Sequence, residues 1–169
     1  MSAALPRIGM TLGDVAGVGP EIVAKVVSDS AIRTICEPIV FGHPEILRRA
    51  AELTGIGLNP IPTDAVKQAI TDPDQVHCID ATDSSVLSVR PAEVDARAGE
   101  AAYACLIASI RAAQSGLIDA IVTAPLNKLA LHQAGHDFPG HTEILKQECS
   151  AEDCAMMLYL PPGAGGPAP

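Results

Sequence analysis

Short apolar runs and longer stretches of helical period take turns along the chain. RIGMTL (7–12) predicts a strand, and PEIVAKVVSD (20–29) predicts a helix. Pro20 and Glu21 suit that helix's first turn: proline lacks the N–H that would go unpartnered there, and a carboxylate favours the positive helix end. EPIVFG (37–42) is the next expected strand. HPEILRRAAELTG (43–55) follows as a helix, again opened by Pro-Glu and stopped by Gly55. Pro60, Pro62 and Pro73 interrupt 56–75, which reads as loop, weak strand and short helix. QVHCID (75–80) is a strand, and ATDSSVLSVRPAEVDA (81–96) an irregular connection.

The clearest helix is 96–116, with Ala98, Ala101, Ala102, Cys105, Ser109 and Ala112 repeating on one face and Gly116 as its stop. LIDAIVTAP (117–125) reads as a buried strand rich in β-branched residues, with 117–122 expected at the centre of the sheet. LNKLALHQAG (126–135) and HTEILKQECS (141–150) predict helices, and CAMMLYL (154–160) a last strand. Strands alternating with helices imply an α/β fold, a layered and largely parallel sheet covered on both faces. The domain is expected to run over 1–160. PPGAGGPAP (161–169) reads as a Pro/Gly-rich tail or an interrupted connection.

Composition narrows the core and the partners. The chain has 169 residues, 48% of them apolar but only 2% aromatic, so Ala, Val, Ile and Leu must build the interior. The net charge of -9, with no basic run, points away from nucleic acid and anionic membranes. No apolar run approaches a membrane span, and the N-terminus lacks a signal-peptide pattern; a soluble, cytoplasmic protein with reduced cysteines is expected.

Three stretches carry candidate chemistry. GDVAGVGPE (13–21) places three glycines between a strand and a helix, either as a tight connection or as a loop approaching an anion. Its spacing matches neither standard nucleotide fingerprint. Asp14 is a turn residue or a substrate ligand. TAPLNK (123–128) lies at the carboxyl end of a strand, where open α/β sheets bind ligands. Asn127 and Lys128 are candidates there, with a solvated lysine as the alternative. FPGHTEIL (138–145) sets His141 and Thr142 at a helix start. Thr142 is either a cap or a contact, and His141 either a core histidine or a neutral donor and acceptor for substrate. His132 and His136 are four apart, but Gly135 separates them, which argues against a metal pair.

In this order, TLGDVAGVGPEI (11–22), AGEAAYACLIASI (98–110), DAIVTAPLNKLALHQAGHDFPGHTEIL (119–145) and MML (156–158) resemble the 4-hydroxythreonine-4-phosphate dehydrogenase family of vitamin B6 biosynthesis. The resemblance implies a fold like isocitrate and isopropylmalate dehydrogenases, a homodimer, a divalent metal, and NAD or NADP. It implies oxidation of a phosphorylated 3-hydroxy acid, such as 4-phosphohydroxy-L-threonine, whose 3-oxo product loses carbon dioxide. A branch of the family acts on 4-phospho-D-threonate or phospho-erythronate, and LYLPPG (158–163) is similar to that branch. His141 and Thr142 match the family's substrate-binding His-Thr pair. No residue matches its three metal-binding histidines, so the chain resembles the family's N-terminal part. A phospho-acid-binding protein without chemistry and a phosphotransferase using loop 13–21 are the competing readings.

Overall fold

The computed structural model describes residues 4–64, 66 and 75–160. Five parallel strands form one sheet in the order β3-β4-β2-β1-β5: β1 Arg7–Thr11, β2 Glu37–Phe41, β3 Pro60–Thr63, β4 Val76–Ile79 and β5 Ala120–Thr123. The register pairs Thr11 with Phe41 on one side and with Thr123 on the other. The helices are α1 Gly19–Ser28, α2 Ser30–Arg33, α3 Pro44–Leu53, α4 Ala96–Gln114, α5 Lys128–Gln133 and α6 His141–Glu148. Residues Ser84–Ser88 form a 3-10 turn inside the connection that the sequence leaves irregular.

Strand side chains alternate, so successive residues of β2 feed two cores. Val40 joins Val23, Ala24 and Val27 of α1 and Leu47 and Ala51 of α3. Ile39 and Phe41 join Cys105 and Ala112 of α4. Every α4 residue expected on the buried face is buried. With small side chains there, α4 lies directly on the sheet. Gly55, Gly116 and Gly135 all adopt positive φ, the backbone that ends a helix and that β-carbons resist. Asp29 supplies a stop that the sequence reading missed: it ends α1 and its carboxylate caps α2 by accepting from the Ala31 N–H.

Two expectations need correction. The 117–122 run is not central. Its strand, β5, lies at the sheet edge and pairs with β1 alone among the described residues, leaving Val122 52% exposed. The apolar run specifies a need for burial, which Ile118 meets beneath α4 at 4% exposure, but it does not specify the strand order. Residues 154–160 form no strand. They are exposed coil, with Leu158 at 95%, because β-propensity without a neighbouring strand gives no ladder. The helix expected at 126–135 shortens to Lys128–Gln133. The 161–169 tail lies outside the described residues, as does most of the stretch where a short helix was expected within 56–75.

Candidate functional site

The chain order reverses between β1 and β5. After β1 the chain crosses to α1 on one face; after β5 it runs to α5, which packs against α4 on the other. Such a divergence opens a crevice at the carboxyl ends of the strands. Loop 13–19 and segment 124–127 form its floor, and they are bonded to each other. The Asp14 N–H donates to the Pro125 carbonyl at 2.9 Å. A β-carbon on Gly13 would sit 2.3 Å from that same oxygen, and one on Gly19 2.3 Å from the Leu12 carbonyl. Two of the loop's three glycines are therefore required by close backbone packing.

The loop also uses two of its own donors. The Ala16 N–H donates to the Asp14 carboxylate at 2.9 Å, and the Gly17 N–H to the Asp14 carbonyl at 3.0 Å. Those two groups are withdrawn from any anion cradle, which favours the tight-connection reading of 13–19. Asp14 takes its turn role, and it is buried. Burial raises its carboxyl above the ordinary aspartate range, and the Asp95 carboxylate adds to that, while the bond from Ala16 opposes both.

Asn127 caps α5, its side-chain oxygen accepting from the N–H groups of Leu129 at 3.0 Å and Ala130 at 3.1 Å. Lys128 opens that helix and is exposed. His141 and Thr142 open α6, but neither caps it. Gly140 is the cap residue, and no side chain bonds the first turn. Thr142 is thus not the N-cap, and its hydroxyl is not taken up in closing the helix. His141 is half-buried, and burial holds its imidazole below the ordinary histidine range. Desolvation thus favours the neutral ring that the sequence offered as one reading.

A shared cluster brings the two candidate stretches together. Leu126 of the β5–α5 turn and Phe138 of the α5–α6 loop pack with Leu131, Ile144 and Ile110. The same cluster ties the α5–α6 loop, which leads to His141, to the β5–α5 turn, which leads to Lys128. A cleft of roughly 460 Å³ lies elsewhere, lined by Thr82, Asp83, Arg97, Glu100 and Gln133, and none of the five candidate residues lines it. Its guanidinium is already committed: Arg97 bonds the Asp95 carboxylate at 2.5 Å and the Ser88 hydroxyl at 2.6 Å.

The sequence reading missed the bracing of residues 136–138. His136 meets Glu100 at 2.7 Å and stacks on Tyr103, while His132 bonds the Phe138 carbonyl. The i, i+4 histidine pair was visible, but its partner Glu100 is 36 positions from His136, beyond any local signal. Among the described residues no group of three or more His, Cys, Asp and Glu side chains is placed to hold a metal ion. Buried Cys78 and Cys105 are free thiols held well above the ordinary cysteine range by desolvation, as packed core residues are. No helix among the described residues is long and apolar enough to cross a membrane.

Residues 34–162 match the family described as pyridoxal phosphate biosynthetic protein PdxA. A relative from Cupriavidus necator named D-threonate 4-phosphate dehydrogenase is 37% identical over 95% of this chain and 48% of its own length. Another, from Trichlorobacter lovleyi and named 4-hydroxythreonine-4-phosphate dehydrogenase, is 34% identical over 94% of the chain and 47% of its own. The crystal structure of a 4-hydroxythreonine-4-phosphate dehydrogenase from Burkholderia phymatum superposes with a TM-score of 0.88 at 38% identity, covering 94% of this chain and 48% of that one. The chain spans about half the length of the relatives it matches.

Proposed function

The chain belongs to the pyridoxal phosphate biosynthetic protein PdxA family, and on that premise we propose that it is the substrate-holding part of a dehydrogenase of phosphorylated four-carbon hydroxy acids. The observation that carries this reading is the start of α6. A neutral, half-buried imidazole and a threonine hydroxyl occupy consecutive positions in the first turn of a helix that no side chain caps. A neutral imidazole offers one N–H and one lone pair, and the hydroxyl both donates and accepts. Together with the helix end, which favours negative charge, they suit a hydroxy acid's hydroxyl and carboxylate. In this reading Lys128, exposed at the start of α5, meets the phosphate as a mobile charge.

The full reaction in this reading is oxidation at C3 by NAD or NADP, assisted by a divalent metal, in a homodimer. Removing a hydride from a secondary alcohol requires the hydroxyl proton to leave, and the 3-oxo acid that results loses carbon dioxide readily. The described residues offer no ligand set for the metal, and loop 13–19 matches no standard dinucleotide fingerprint. This chain's own contribution is therefore to bind and orient. D-threonate 4-phosphate and 4-phosphohydroxy-L-threonine share the carboxylate, the 3-hydroxyl and the phosphate, and differ in the group on C2. The name of the Cupriavidus necator relative favours the first as the compound to test.

The test is protection of His141. Diethyl pyrocarbonate acylates neutral imidazoles, and mass spectrometry of the His141 peptide reads the rate. D-threonate 4-phosphate should slow acylation of His141 at least about threefold, and D-threonate without its phosphate should do so less. Equal acylation of His141 with and without the phosphorylated acid, at concentrations that saturate no other histidine, would remove it from the site.

A further inference from the structure

The loop from 134 to 140 delivers the chain to His141, and its shape is fixed from one side by α4. The His136 ring lies on Tyr103 with centroids 3.7 Å apart and planes 18° from parallel. Its Nε2 is 2.7 Å from a Glu100 carboxylate oxygen, and its side chain is 20% exposed. A carboxylate only accepts, so Nε2 carries the proton. Tyr103 also faces Phe138, with centroids at 6.1 Å, and its hydroxyl donates to Glu148 at 3.4 Å. On the other side, His132 Nε2 donates to the Phe138 carbonyl at 3.0 Å. The backbone closes the loop: the His136 N–H donates to the Leu131 carbonyl at 3.1 Å, and the Phe138 N–H to the His136 carbonyl at 3.0 Å.

Residues 136 and 138 are thus gripped within five positions of His141, while α6 itself is weakly anchored. It has eight residues, one buried side chain (Ile144) and no side-chain cap. A helix of that length does not stand alone in water. Its far end is held by Tyr103 and by Gln114, whose side-chain amide donates to the Glu148 carbonyl at 3.0 Å. Ile144 packs the helix body against Ile110 and Leu131, and the 136–138 grip holds the chain just before its first turn.

We propose that His136, braced by Glu100 and Tyr103, is a positioning residue that sets the His141–Thr142 pair for substrate. It does not touch substrate in this role. It fixes the direction from which Gly140 leads into α6 and keeps the His141 ring half out of water. This rests on the reading of His141 and Thr142 given above.

The experiment follows the His141 imidazole by proton–carbon NMR across pH in the 169-residue chain, with no ligand present. Its resonance is assigned from its loss in His141→Gln. In His136→Ala the loop loosens and water reaches His141, so its titration midpoint should rise toward the ordinary value of about 6.5. The Thr142 methyl signal should move, while the methyls of Ile39 and Val40 in the sheet stay in place. Glu100→Ala should shift His141 the same way, and Glu100→Gln, which keeps an acceptor for His136, should leave it close to the parent. The Glu100 side chain is 58% exposed, so its truncation decides the matter if His136→Ala does not fold. An unchanged His141 titration in Glu100→Ala and in folded His136→Ala would overturn the proposal. Because no substrate enters this measurement, a parent chain in which the shift occurs but phospho-acid protection fails would defeat the functional reading and leave the positioning intact.

Discussion

At pH 7 the His141 ring is uncharged, because burial costs the imidazolium its hydration. Its folded pKa lies below the unfolded one, so the unfolded chain binds more protons in the window between them. Stability is complete above about 6.5 and is lost as pH falls through the folded value. His141→Gln, neutral throughout, should therefore lose less melting temperature between pH 6.5 and pH 5 than the parent; an identical slope would mean that the ring is not desolvated. Asp14 has the opposite sign. Its folded pKa is raised, chiefly by burial, so its contribution is complete below about 3.9 and is lost as pH rises through the folded value. Asp14→Asn keeps the oxygen that accepts from Ala16. It should melt a few degrees above the parent at pH 7 and level with it at pH 3.5. A lower melting point at pH 7 would show that the charge itself stabilises the turn. The turn role of Asp14 was readable from its place after Gly13. The raised pKa was not, because it comes chiefly from burial in the folded chain, with Asp95, 81 positions away, adding to it.

Elements were legible where local chemistry settles them. Pro20 and Pro44 mark helix starts, the glycines at 55, 116 and 135 mark stops, and the alanine face of α4 predicts its burial. Strand position was not legible. Ile118 and Val122 belong to one apolar run, yet they are 4% and 52% exposed, since exposure depends on which strands pair with β5. The failure at 154–160 has the same origin. Gly99 gives the sharpest test of packing between elements. In an isolated helix, glycine to alanine gains about 1 kcal/mol. Here the added carbon would lie 2.1 Å from the Ala130 carbonyl oxygen, wedging α4 from α5. Gly99→Ala should cost roughly 2–3 kcal/mol by overpacking. A melting temperature equal to or above the parent's would show that the two helices separate freely.

For the whole molecule, the sheet order places β1 beside β5 and so builds the crevice, to which the proposed function assigns a phosphorylated hydroxy acid. The chain covers about half of the relatives' length, and the described residues hold no group of three or more His, Cys, Asp and Glu side chains placed for a metal. Residues 1–169, mixed with NAD, a divalent metal and D-threonate 4-phosphate, should form no NADH. Formation by the purified chain above the level of a mock preparation would contradict this division of labour. The central claim is that the start of α6 holds the phosphorylated acid, and amide and side-chain NMR of the chain during titration with D-threonate 4-phosphate tests it most directly. The expected result is weak, saturable binding, with Kd on the order of 1 mM, or about −4 kcal/mol. It should move the His141 and Thr142 signals first and Lys128 with them, and it should vanish in His141→Ala at unchanged melting temperature. Saturable shifts confined to the Thr82–Arg97 cleft, or none at His141 at about 10 mM, would contradict it.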